Sequence, residues 1–103
     1  MITLKLVKSL LRNNFVKRVK RPVLAAYIVG SEAKGIARPD SDLDIAVVVP
    51  QHRTLTSIQY TERYHAAFTS NLLTPKLGNR EVDFQFFFPG ELEQLNYSMI
   101  EVR

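Results

Sequence analysis

A chain of 103 residues with 46% apolar residues, six Phe and four Tyr can fill one hydrophobic core but not two, which argues against a disordered chain and predicts a single domain over residues 1–103. It contains no cysteine, so a disulfide frame and a thiolate zinc site are both excluded. The net charge of +4 is unevenly spread: Lys5, Lys8, Arg12, Lys17, Arg18, Lys20 and Arg21 are half of all Lys and Arg, and the first acid is Glu32.

In chain order, Leu4, Val7, Leu11, Phe15 and Val19 recur at helical spacing and predict an amphipathic first helix. Its basic residues form a solvated face and linker, or a patch for phosphates, nucleic acid or an acidic partner. No aromatic residues are interleaved with the basic ones, which weighs against stacking on single-stranded nucleic acid. Met1 to Val7 lacks the apolar run of a signal peptide and no segment reaches membrane-span length, so the expected address is the cytoplasm.

Pro22 punctuates, and Val23 to Val29 reads as a short strand buried on both faces. Ser31 to Ala37 suits a short helix or turn, and Pro39-Asp40-Ser41 a loop. Asp42 to Val49 is the clearest strand, ended by Pro50. Thr54 to Leu73 suits a helix whose buried side carries Leu55, Ile58, His65, Phe68 and Leu72. Thr74-Pro75 and Gly78-Asn79 mark a break. Arg80 to Phe88 is a third strand, and Glu91 to Ile100 after Pro89-Gly90 is expected to be helical. The fold class is therefore α/β (α+β), with a small mixed sheet of at least three strands covered by helices.

The chemistry concentrates in the acids. Asp42 and Asp44 stand two residues apart at a strand start and project to one face, roughly 6–7 Å apart. Two bare carboxylates at that separation repel by about 2–3 kcal/mol at an effective dielectric near 20. A divalent cation between them removes the repulsion. Alternation in the third strand puts Asp83, Gln85 and Phe87 on one face and Val82, Phe84, Phe86 and Phe88 on the other. Asp83 in so apolar a strand needs a partner, which could be Arg80, Lys76 or a metal. With the two strands adjacent, three carboxylates converge near a Gly-Ser turn, an arrangement suited to two-metal phosphoryl transfer.

Gly30-Ser31, a ten-residue gap, Asp42-Leu43-Asp44 and the later acid in Val82-Asp83-Phe84 resemble the nucleotidyltransferase superfamily that includes DNA polymerase β. The string Gly-Ser-Glu-Ala-Lys-Gly-Ile-Ala-Arg-Pro-Asp-Ser-Asp-Leu-Asp (30–44) is similar to the minimal nucleotidyltransferases of prokaryotes, over a core of about residues 23 to 88. The resemblance implies the nucleotidyltransferase fold and a Mg-dependent enzyme. It would move AMP from ATP, or another nucleoside monophosphate from its triphosphate, to a hydroxyl, releasing pyrophosphate. By the same resemblance Asp42 and Asp44 hold two Mg²⁺ ions, and Asp83 binds the catalytic metal and helps deprotonate the acceptor. Gly30 admits the backbone close to phosphate, Ser31 offers its hydroxyl and N–H there, and Lys34 and Arg38 are phosphate or acceptor contacts. Two departures stand out. Glu32 occupies a position often basic or aromatic in the minimal family and is expected to face away from the nucleotide. Lys34 replaces the commoner Arg and loses its fork geometry.

So short a catalytic core implies that a partner chain or a second copy supplies acceptor specificity. Minimal nucleotidyltransferases often pair with helical HEPN-domain proteins as antitoxins, some placing AMP on a tyrosine of the toxin. The alternative is a non-catalytic module that masks such a partner, its nucleotide site vestigial. Of the remaining residues, His65 reads as a hydrogen-bonded core histidine and His52 as a solvated loop residue. The Phe84-Phe86-Phe88 face reads as core.

Overall fold

The computed structural model describes residues 2–15, 23–38, 41–71, 76–96 and 98–103. Val19, the basic residues Lys17, Arg18, Lys20 and Arg21, the Pro39-Asp40 turn and Leu72 to Pro75 lie outside the described residues. Among the described residues the elements are α1 (Leu4–Phe15), β1 (Ala25–Val29), α2 (Gly30–Ala33), β2 (Leu43–Val48), α3 (Ser57–Asn71), β3 (Lys76–Leu77), β4 (Arg80–Phe87) and β5 (Ile100–Val102), with a 3-10 turn at Leu92–Gln94. The strands form one five-stranded sheet in the order β3-β4-β2-β1-β5. β1 runs antiparallel to β2 and β5, β4 runs parallel to β2, and β3 and β4 form a hairpin. This is the mixed α+β sheet that the strand pattern predicts. Among the described residues no helix is long and apolar enough to cross a membrane.

Alternation sorts the sheet into two faces. On one, Leu43, Ile45 and Val47 of β2 and Val82, Phe84 and Phe86 of β4 bury their side chains with Ala26, Phe88 and Val102 beneath α1 and α3. Val7 from α1 and Tyr60 and Tyr64 from α3 close that core. Tyr60 meets Phe86 edge-on, their ring centroids 5.0 Å apart, and Tyr64 lies 4.7 Å from Phe86. Such pairings add stabilisation beyond the area they bury. The other face carries a smaller apolar group of Val29, Ala46 and Leu92, with Tyr27, Val48, Phe87 and Leu95 against it. Asp44 and Asp83 belong to this second face by alternation.

The start of α3 is tightly specified. Thr56 and Gln59 form a reciprocal capping box, Gln59 N–H donating to Thr56 Oγ1 (3.1 Å) and Thr56 N–H to Gln59 Oε1 (3.0 Å). His52 is half-buried, not simply solvated: its Nδ1 accepts from the N–H groups of Thr54 and Leu55, each at 3.1 Å. The buried stripe of α3 differs from the expected one. Ser57, Tyr60 and Tyr64 face the core, while Ile58 is 71% exposed and His65 is exposed. The tyrosine rings offer more area to the Phe row of β4 than the aliphatic residues could, and the helix turns to present them. The side chain of Phe68 lies outside what the structure describes.

The break expected at Gly78-Asn79 is a turn, and one further segment departs from the expected pattern. Gly78-Asn79 is the two-residue turn of a hairpin pairing Leu77 with Arg80, and Gly78 has φ +62°, which primed hairpin turns require at that position. The helix expected over Glu91 to Ile100 is replaced, among the described residues, by the 3-10 turn at Leu92–Gln94 and by Ile100–Val102, which adds β5 to the outer side of β1. That pairing buries Val102 and occupies ladder groups of β1 that would otherwise lack partners. The tertiary gain overrides local helical spacing.

The outer edge of β4 beyond the short β3 is protected by side chains of α3. Thr61 Oγ1 accepts from Phe86 N–H (2.9 Å) while donating to Ser57 C=O (2.9 Å). His65 one turn later meets Phe84 C=O. Replacing Thr61 with Val keeps the shape but leaves the Phe86 N–H without that acceptor. It should lower stability by about 1–3 kcal/mol, read from the urea unfolding midpoint with an unchanged slope.

Candidate functional site

The register of the central strands assembles the site. Val29 at the end of β1 lies opposite Asp44, and Asp44 lies opposite Asp83 across the parallel pair. The Gly-Ser turn follows directly from Val29, so Gly30 arrives beside Asp44. Gly30 has φ +70°, and a Cβ built there would overlap Asp44 Oδ2 and stand 3.3 Å from its Cγ. Glycine is needed here for both reasons: its backbone angle disfavours L side chains, and the space it leaves is filled by a carboxylate.

Beyond Gly30 the chain makes one helical turn and closes with a Schellman arrangement. Ile36 N–H donates to Ser31 C=O (3.0 Å) and Gly35 N–H to Glu32 C=O (3.1 Å), with Gly35 at φ +72°. Ser31 is half-buried within this turn; Lys34, its C-terminal residue, is exposed, as is Arg38 further on. The loop into β2 is pinned by Arg38 N–H donating to Ser41 Oγ (2.9 Å) and Ser41 N–H to Arg38 C=O (3.0 Å). Asp42 is exposed just ahead of the strand, and Asp44 is half-buried within it.

The acids feel one another. Burial, then the charges of Asp83 and Asp42, raise the Asp44 carboxyl above its ordinary value. Burial, assisted by Asp83, likewise raises the Tyr64 phenol. An all-oxygen carboxylate set whose members repel suits a hard divalent cation. The backbone of Gly30 packs directly on the Asp44 carboxylate, so the motif turn and the acid stand side by side at that end of the sheet. Among the described residues, no three His, Asp or Glu groups close around a common point as the side chains stand.

Two partners escape the sequence pattern. Arg80, one candidate partner for Asp83, turns instead to the motif loop: its Nε donates to Ser41 C=O (2.8 Å) and its Nη2 lies 3.0 Å from Glu32 Oε2. The Nη2 contact is an ion pair whose angle does not make a hydrogen bond. Glu32 is thereby engaged with Arg80 at the start of β4. Asp83 is met by His65, with Nε2 3.2 Å from Oδ1. The ring is half-exposed and is not the core histidine that helical spacing suggests. The signal for both lay in geometry: Arg80 opens the strand that crosses beside the loop, and His65 falls four residues after Thr61 on the side of α3 that meets the edge of β4.

The sequence profile of the nucleotidyltransferase domain family matches residues 9–102. The chain belongs to that family. Members transfer a nucleotidyl group from a nucleoside triphosphate, generally with a divalent metal, so this family member is a transferase with a nucleoside triphosphate as substrate. The fold is similar to a crystal structure from Sulfolobus solfataricus, of a protein provisionally assigned as a nucleotidyltransferase. The two share 21% identity with a TM-score of 0.58, over 96% of this chain and 78% of that one. At that identity the likeness speaks for the fold. A search of curated proteins found no significant match.

Two outcomes follow from the packing of Gly30 on Asp44. Gly30→Ala should destabilise the protein by more than the roughly 1–2 kcal/mol of a left-handed non-glycine residue. In an Asp44→Ala background the cost should fall toward that value, a coupling read from a double-mutant cycle of urea midpoints. The raised Asp44 carboxyl also sets a pH dependence. With the folded value above the unfolded one, ionised Asp44 opposes folding at neutral pH, and the penalty fades as pH falls through the raised value. Metal-free Asp44→Asn should therefore be at least as stable as wild type at neutral pH. Its advantage should shrink on acidification and vanish below the ordinary value of 3.8. Urea midpoints in chelator across that range check it.

Proposed function

We propose that this nucleotidyltransferase domain, a single minimal unit over residues 1–103, transfers AMP from ATP to a hydroxyl acceptor and releases pyrophosphate. The observation that carries the reading is the lateral row of Asp44 and Asp83, with the backbone of Gly30 packed against Asp44. Asp42, Asp44 and Asp83 are the proposed ligands for two Mg²⁺ ions, which when bound would offset the negative charge of the triphosphate. The remaining roles fall to the chain. Gly30 lets backbone approach phosphate, and Ser31 donates its hydroxyl to a phosphate oxygen. Lys34 and Arg38, both exposed near the same loop, offer cationic contacts to the triphosphate or the acceptor.

In the reaction the acceptor oxygen attacks the α-phosphorus, and the bond from that phosphorus to the bridging oxygen of pyrophosphate breaks. Asp83 takes the proton of the attacking hydroxyl, as a carboxylate positioned by a strand can. The acceptor is proposed to be a tyrosine of a helical HEPN-type partner, with this chain as a cytoplasmic antitoxin. The likeness of residues 30–44 to minimal nucleotidyltransferases is what supports that partner.

The test supplies α-phosphate-labelled ATP and Mg²⁺ to a lysate of the source cell with wild-type protein or with Asp42→Asn/Asp44→Asn. Label on a tyrosine of a protein only with wild type is the expected result; label on RNA or a small molecule only with wild type would keep the transfer and overturn the proposed acceptor. Label with neither protein, while MgATP binding is intact, would overturn the reading in favour of a domain that masks its partner by contact.

A further inference from the structure

His65 reaches the proposed metal-binding face from the opposite side of the sheet. It belongs to α3, which covers the core face, yet its imidazole extends past the outer edge of β4 to the side chain of Asp83. Nε2 stands 2.9 Å from Phe84 C=O and 3.2 Å from Asp83 Oδ1. A backbone carbonyl can only accept, and so can an ionised carboxylate, so Nε2 carries the proton and one N–H is shared between them. The first partner belongs to the residue that follows Asp83 and is fixed in the sheet. The ring is thus referenced to the same strand that carries the acid. Tyr64 meets the imidazole edge-on with centroids 5.8 Å apart. Thr61, one turn earlier, ties α3 to Phe86 N–H on the same strand edge. The histidine therefore stands on a helix bonded to β4 at alternate residues.

We propose that His65 is a positioning residue for Asp83: it holds one carboxylate oxygen in place and leaves the other for the ligand that Asp83 serves. This rests on the reading of Asp83 as a metal ligand. A half-exposed aspartate otherwise samples several rotamers, and a metal site must select one of them. A hydrogen bond from a neighbour to a ligating carboxylate makes that selection before the metal arrives, and losing such a partner weakens metal binding by roughly 10–100-fold. The arrangement also gives the edge contact a use beyond protection. Phe84 C=O alone could be satisfied by water, whereas an imidazole there satisfies the carbonyl and orients the acid with the same proton.

The test titrates Mn²⁺ into protein carrying a non-hydrolysable ATP analogue, with free Mn²⁺ followed by electron paramagnetic resonance. Wild type, His65→Ala, His65→Gln and Asp83→Asn are compared, each shown to be folded by its urea midpoint. His65→Ala should weaken Mn²⁺ binding by roughly 10–100-fold. His65→Gln, whose side-chain amide can donate where Nε2–H does, should recover most of that loss. A residue that only stabilises the fold would leave metal affinity unchanged in the folded variants. Wild-type affinity in His65→Ala, with binding lost in Asp83→Asn, would overturn the positioning role alone. Equal binding by wild type and Asp83→Asn would overturn the assignment of Asp83 and this inference with it.

Discussion

The antiparallel register of β1 on β2 and the parallel register of β4 on β2 put Val29, Asp44 and Asp83 in one row across the sheet. That row brings two carboxylates side by side where Asp44 is already half-buried, at a cost that shows in its raised carboxyl. It also delivers the backbone of Gly30 against Asp44 Oδ2, a contact that any Cβ would prevent. A one-residue slip of β4 on β2 would send Asp83 into the Phe-lined core, and a slip of β1 would carry Gly30 away from Asp44; either destroys the row. The buried faces thus protect the register, and the register builds the site. An unfavourable pairing of charges is maintained by apolar packing that cannot be satisfied another way.

The two faces of the sheet divide the work. The face beneath α1 and α3 holds the larger core, with Tyr60 and Tyr64 set against the Phe row of β4. The opposite face carries a smaller apolar group and, at one end, the acids. Two ties cross between scaffold and site. Arg80 links the start of β4 to Glu32 in the motif turn and to the backbone ahead of Asp42. His65 links α3 to Asp83. Both contacts fix the direction of a side chain at the site: Glu32 is held toward β4 and Asp83 toward α3.

Much of this was legible in the residues because the relevant signals were local. Gly30-Ser31 and Asp42-Leu43-Asp44 declared themselves by residue type and spacing, and period-two alternation sorted Asp83 from the phenylalanines. What escaped was decided by partners distant in sequence. Glu91 to Ile100 has apolar residues at helical spacing, but the open edge of β1 draws Ile100–Val102 into the sheet. Leu55, Ile58 and His65 share one side of a helix on paper. The buried stripe runs instead through Ser57, Tyr60 and Tyr64, because the tyrosine rings pack on β4. The same rotation brings His65 out of the core and over the strand edge. Arg80 could not be assigned to Glu32 from sequence, since forty-odd intervening residues separate them and only the sheet order brings them together.

The central claim is that the carboxylate row is a site for a metal-bound nucleoside triphosphate rather than a structural feature. It is tested most directly by the shift in unfolding midpoint that MgATP produces in wild type and in Asp44→Asn. A ligand that binds only the folded state raises its stability in proportion to the logarithm of its concentration. The account predicts a rising midpoint with MgATP for wild type, little or none with ATP in chelator, and no shift for Asp44→Asn despite apo stability at least equal to wild type. An equal shift in both proteins, or an Asp44→Asn protein markedly less stable without ligand, would contradict it.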